Sequence, residues 1–152
     1  QDMAARGTVA SGQMLEARVI PATLMLAAIF AVPMNTEIVL LSRLRLSDGI
    51  PLAIEEAHIL HRVCPGILDY DFSKESLYNV LATRYNTILV RAEQTMEAGL
   101  VTPEESELLK ITSPSPVLRI ERLSYNAQNT LVEYVKSAYR GDRYKFHTTL
   151  QS

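Results

Sequence analysis

The chain has 152 residues, enough for one domain of ordinary size and too few for two well-packed ones. Its composition, 47% hydrophobic and 21% charged with six Gly and seven Pro, is globular and excludes disordered, collagen-like and disulfide-scaffold classes. Fifteen Lys and Arg against seventeen Asp and Glu leave a net charge of −2, so no overall field draws this segment to nucleic acid.

The single cysteine, Cys64, has no internal disulfide partner, which fits a reducing compartment and a cytoplasmic location. The longest apolar run, Leu24 to Val32, is too short to span a bilayer and is followed by Pro33. No basic stretch leads into an apolar one at the N-terminus, so neither a membrane nor a secretion signal is expected. The sequence opens at Gln1 rather than Met, and Asp2 to Arg6 before Gly7 reads as the last turn of a helix. That pattern predicts a fragment, with residues 1–12 as the tail of a linker and residues 13–152 as the domain.

In chain order, Met14 to Ile20 alternates Leu15, Ala17 and Val19 with Glu16 and Arg18, the period of a half-buried strand that Pro21 stops. Ala22 to Val32 is rich in helix formers and ends at Pro33. Glu37 to Leu46 and Ile50 to Ile59 flank Ser47, Asp48 and Gly49, which predicts a β-hairpin. A two-residue loop would mix Glu55 into the apolar row of Leu44 and Leu46. A three-residue loop with Gly49 in the left-handed conformation groups Leu44 and Leu46 with Ile50, Leu52 and Ile54 instead. Arg43, Arg45, Ala53 and Glu55 then share the opposite face.

Ser73 to Tyr85 reads as a helix with Ser73 as its N-cap and Leu77, Val80, Leu81 and Tyr85 on one side. Ile88 to Leu100 alternates as a strand, and Thr102, Pro103, Glu104 and Glu105 open a helix through Lys110. Val117 to Tyr125 and Leu131 to Tyr139 form a second hairpin around Asn126 to Asn129, with Tyr144 to Leu150 as a last strand. The predicted class is α+β, a mostly antiparallel six-stranded sheet with short helices.

Sequence motifs for catalysis or cofactors are sparse: the chain has no glycine-rich phosphate loop, no Cys pair and no GxSxG elbow. His58, His61 and Glu56 offer only a weak metal-ligand pattern, because their spacing spans a strand end and a turn. No catalytic residue, metal or cofactor is expected. Arg43 and Arg45 are more informative, since two like charges on one strand face repel and need a partner. A bound anion would supply it, with the helix start near Ser73 and the hydroxyls of Ser76 and Tyr78 close by. The alternative is that each arginine pairs with a carboxylate such as Glu55 on a solvated face.

Four blocks, RLRLSDGIPLAIEEAHI (Arg43 to Ile59), SLYNVLATRY (Ser76 to Tyr85), VRAEQTMEA (Val90 to Ala98) and VEYVKSAYRGDRYKF (Val132 to Phe146), resemble the UTRA domain. UTRA is the effector-binding part of HutC-type transcription regulators in the GntR superfamily. The resemblance implies a chorismate lyase-like fold and a cytoplasmic homodimer that senses a small metabolite. Operator DNA would be bound only through an N-terminal winged helix-turn-helix absent from this sequence. In relatives that take amino-sugar phosphates, the positions matching Arg43, Arg45, Ser76 and Tyr78 hold the phosphate, and those matching Glu55, Arg91, Glu133 and Tyr139 face the sugar. The segment completing the phosphate cradle in those relatives would lie upstream of Gln1. The alternatives are a small lyase-like enzyme acting on an anionic ring substrate, or a domain that only dimerises.

Overall fold

The computed structural model describes residues 10–151; the helix turn expected at Asp2 to Arg6 lies outside them. Six strands form one antiparallel sheet: β1 (Ala10–Pro21), β2 (Glu37–Ser47), β3 (Ile50–Leu60), β4 (Leu89–Leu100), β5 (Pro116–Asn126) and β6 (Leu131–Arg140). Their spatial order is β1-β2-β3-β6-β5-β4, so two meanders meet where β3 pairs with β6. Three short helices complete the regular structure: α1 (Leu24–Phe30), α2 (Leu77–Tyr85) and α3 (Pro103–Leu109).

Each face of the sheet buries its own apolar row. On one face α1 covers Ile38, Leu60 and Tyr134, and α3 brings Leu109 onto Leu44 and Val117, with Leu46 and Ile54 at the margin. On the other, Leu77, Val80 and Leu81 of α2 pack with Val39, Leu41, Ile59, Ile67, Phe72 and Val132. Beside this second layer, between the sheet and the start of α2, lies the cavity described below.

Local chemistry accounts for the helix ends. Thr102 accepts from the Glu105 amide while the Glu105 carboxylate accepts from the Thr102 amide, a complete capping box with Pro103 in the first turn. The cap of α2 is Ser76 and not Ser73: its hydroxyl accepts from the Asn79 amide, and the helix starts at Leu77. Ser73 is instead held by the Asp71 carboxylate, which accepts from both its amide and its hydroxyl and closes a separate turn.

The first hairpin corrects the expected loop and keeps the expected faces. Ser47 pairs with Ile50 across a two-residue turn in which Asp48 (φ 51°) and Gly49 (φ 77°) both adopt positive φ. The register then shifts, Leu46 opposing Pro51 but Arg45 opposing Ala53, so Leu52 is an extra residue in β3. That bulge restores the parity a three-residue loop would have set: Arg43 faces Glu55 and Leu44 faces Ile54. Leu52 itself leaves the apolar row and turns toward the cavity.

Two other expectations change. No strand forms at Tyr144 to Leu150, because β6 is central and both its edges are already paired with β3 and β5. Tyr144 packs against Tyr139 instead, the two rings tilted with centroids 4.6 Å apart. The alternation in β1 and β4 does not mark a buried face, since both are edge strands; Val19, Val90 and Leu100 stay exposed. Among the described residues, no helix is long and apolar enough to cross a membrane.

Candidate functional site

The cavity lies between the sheet and the start of α2 and has a volume of about 520 Å³, in the range of small-molecule sites. The sheet places its polar residues by parity alone. Arg43 and Arg45 project from β2, Glu55 from β3, Glu133, Ser137 and Tyr139 from β6, and Arg122 from β5, while Ser76 and Tyr78 come from the first turn of α2. Leu41, Ala57, Ile120 and Val135 form the apolar floor.

At one end Glu55 organises the arginine pair. Arg45 Nη1 donates to Glu55 Oε1 at 3.4 Å, and Arg43 Nη2 lies 3.9 Å from the same oxygen. Tyr139 donates its hydroxyl to Glu55 Oε2 at 3.0 Å, and Arg43 Nη1 donates to the Phe72 carbonyl at 3.4 Å. Two guanidiniums therefore share one carboxylate inside a cavity, not on a solvated face. Burial lowers the Arg43 pKa, Glu55 works against that and Arg45 adds to it; the guanidinium nonetheless keeps its proton at ordinary pH.

At the other end Glu133 is only 1% exposed. It shares the inward parity of Val135, Ser137 and Tyr139, and a bulge beside it turns Val132 to the same side, the register shifting where Ser124 opposes Glu133 and Tyr125 opposes Leu131. Tyr78 donates to Glu133 Oε1 at 2.9 Å and accepts from Arg122 Nη2 at 2.6 Å, and that nitrogen lies 4.0 Å from Glu133 Oε1. Burial, then the Glu133 carboxylate, pushes the Tyr78 hydroxyl well above the ordinary phenol range, so it remains a donor. Glu133 and Tyr139, six residues apart on β6, thus serve opposite ends of one space.

Of the residues expected at a site, Arg43, Arg45, Glu55, Ser76, Tyr78, Glu133 and Tyr139 come together. Arg91 does not. It has the opposite parity to Gln94, the β4 residue that does line the cavity, and its guanidinium pairs with Glu93 and Asn129 over the Tyr125 ring. Sequence reasoning missed Arg122 and Gln94. The available signal was that Arg122 shares its strand face with Ile120, a charge in an apolar row. His58 and His61 diverge: His58 Nδ1 donates to the buried Tyr134 carbonyl, while His61 faces Glu37 at 3.2 Å. Among the described residues no group of three His, Cys, Asp or Glu is placed to hold a metal.

Glu133 links this end of the cavity to pH. Burial raises its carboxyl pKa, with Arg122 and Tyr78 opposing the rise. The folded state then holds a proton that the unfolded chain has lost, so stability falls as pH rises from about 4.3, the ordinary Glu value, through the raised folded value. Thermal unfolding from pH 4 to pH 8 should show Glu133→Gln gaining on the parent as pH increases. A melting-temperature difference independent of pH would contradict this.

Residues 5–145 match the family described as the UTRA domain. The chain belongs to the UTRA domain family. It is 37% identical over 147 residues to the HTH-type transcriptional repressor NagR of Bacillus subtilis, covering 96% of this chain and 60% of that protein. It is 25% identical to the repressor PhnF of Mycolicibacterium smegmatis over 84% of the chain and 52% of that protein, so it spans little more than half of these relatives' length. In structure it superposes on the effector domain of PhnF from Mycobacterium smegmatis with a TM-score of 0.91 at 23% identity, covering 99% of this chain and 92% of that one. The C-terminal domain of the histidine utilization repressor from Pseudomonas syringae gives 0.87 at 20% identity, over 95% of the UTRA chain here and all of that chain. These relatives are transcription regulators of the GntR, HutC-like type and not enzymes.

Proposed function

We propose that this UTRA domain binds a small anionic metabolite in the α2 cavity, and that the bound state alters the operator affinity of a DNA-reading domain in the same regulator. The observation that carries the reading is the charge of the cavity. Three guanidiniums, Arg43, Arg45 and Arg122, face two carboxylates, Glu55 and Glu133, one of which is pushed toward its neutral form. Such a surplus of positive charge in a partly dry space favours an anion with oxygen acceptors. Ser76 can add its hydroxyl proton, because the capping bond uses only its oxygen. The names of the similar repressors support the regulatory half of the proposal.

The regulator would act as a homodimer in the cytoplasm, since two DNA readers must match half-sites a fixed distance apart and ligand-induced change in their spacing is what the operator senses. The test is titration of the full-length regulator onto the DNA upstream of its own gene, with and without a panel of sugar phosphates and organic acids. At least one anionic compound should shift the midpoint by about 5-fold or more, in the range of ordinary allosteric coupling. The Arg43→Ala/Arg45→Ala variant should lose the shift. An operator affinity unchanged by every compound overturns the proposal.

A further inference from the structure

The alternation at Tyr144 to Leu150 predicts a strand that does not form, and its pattern serves a cover instead. Residues two apart in an extended chain point the same way, and Tyr144 and Phe146 both line the cavity while Lys145 and His147 stay exposed outside it. Tyr144 packs against Tyr139, whose hydroxyl holds Glu55 beside the arginine pair. Phe146 lines the cavity and is nonetheless 56% exposed, so its ring stands at the rim.

This segment is anchored at one end. Arg140 donates to both carboxylate oxygens of Asp142, at 3.1 and 2.9 Å, and to the Pro51 carbonyl at 3.3 Å. Gly141 donates its amide to the Pro116 carbonyl at 2.9 Å, and a Cβ there would meet the same oxygen at 2.9 Å, so any side chain would have to displace β5. The Tyr144 amide then closes the turn on the Arg140 carbonyl at 3.1 Å. From Phe146 to Gln151 the backbone makes no hydrogen bond to another described backbone group. A rigid root therefore carries an arm whose local opening costs little.

We infer that residues 144–151 form a strap that closes the cavity over a bound anion. This inference rests on the anion reading above and adds a gate to it. Tyr144 latches the strap on Tyr139, and Phe146 turns in from the rim when the anion is bound, excluding water from the arginine pair and slowing escape. The anion's higher affinity for the closed arrangement drives the movement.

Trypsin reads the strap directly, because its cleavage sites after Arg143 and Lys145 flank Tyr144. Inorganic phosphate, at an occupancy set by calorimetry, should slow both cuts about fivefold or more and leave the cut after Lys110, beyond α3 on the opposite face of the sheet, within about twofold. Phe146→Ala removes an exposed ring that the fold does not need. It should lose most of this protection and bind phosphate about fivefold more weakly through faster dissociation, the scale set by burying the exposed half of a phenyl ring. Bound phosphate with unchanged cutting at Arg143 and Lys145, equal protection at Lys110, or protection that survives in Phe146→Ala overturns the strap and leaves the anion reading standing. Absence of phosphate binding overturns the two together.

Discussion

Replacing Arg45 with Gln is expected to weaken inorganic phosphate binding by about 30-fold or more, equivalent to about 2 kcal/mol. The size follows from its surroundings. Truncating one member of a largely desolvated charge cluster costs about 2 to 5 kcal/mol of binding, because the remaining donors cannot rebuild the forked geometry. The arginine side chain is 23% exposed, so the lower end of that range applies. The fold itself should change little, since Glu55 keeps the Tyr139 hydroxyl at 3.0 Å and Arg43 at 3.9 Å. Calorimetry measures the affinity and a melting curve checks the fold. A dissociation constant within about threefold of the parent would show that the anion sits elsewhere.

The same cluster shows how far sequence reasoning reaches. That Arg43, Arg45 and Glu55 share a face followed from sorting apolar residues into one row, and the structure keeps that sorting. The route to it differed. A tight Asp48–Gly49 turn shifts every partner by one residue, and the bulge at Leu52 shifts them back, so two local features cancel. Periodicity fixes parity but not the number of loop residues, and many combinations of turn and bulge give the same faces. Leu52 shows the residue of that ambiguity: expected in the core row, it lines the cavity.

Long-range pairing was harder to read. Nothing local says that β3 pairs with β6, yet this junction brings Tyr139 to Glu55 and Glu133 into the same space, and makes one cavity of two meanders. The start of α2 depended on competition between two serines three residues apart. Ser73 lost because Asp71, two residues earlier, takes its amide and hydroxyl, leaving Ser76 to cap. The failed strand at Tyr144 to Leu150 has a topological cause, since a segment leaving the centre of a sheet finds no free edge beside it. Arg91 was misplaced through the resemblance alone, and strand parity against Gln94 was the available corrective.

Leu81→Ala tests whether packing behind α2 holds the site in shape. Leu81 is fully buried and packs in the cluster with Val39, Leu41, Ile59, Ile67 and Val132, one face of the helix whose opening turn carries Tyr78 and whose cap is Ser76. Truncation removes apolar burial and leaves a void the sheet cannot collapse into, a loss of about 2 to 5 kcal/mol. For a domain of this length that lowers the melting temperature by roughly 5 to 15 °C. Arg84→Ala, on the exposed side of the same helix, should stay within about 0.5 kcal/mol of the parent. The functional consequence is separable from stability. At a temperature where Leu81→Ala remains folded, phosphate affinity should fall by severalfold and less than in Arg45→Gln, because a looser helix misplaces Ser76 and Tyr78 while the arginine pair stays anchored on β2 through Glu55. If melting drops as expected but affinity is unchanged, α2 supports the fold without positioning the anion site; if melting does not drop, the helix is not packed as the structure has it.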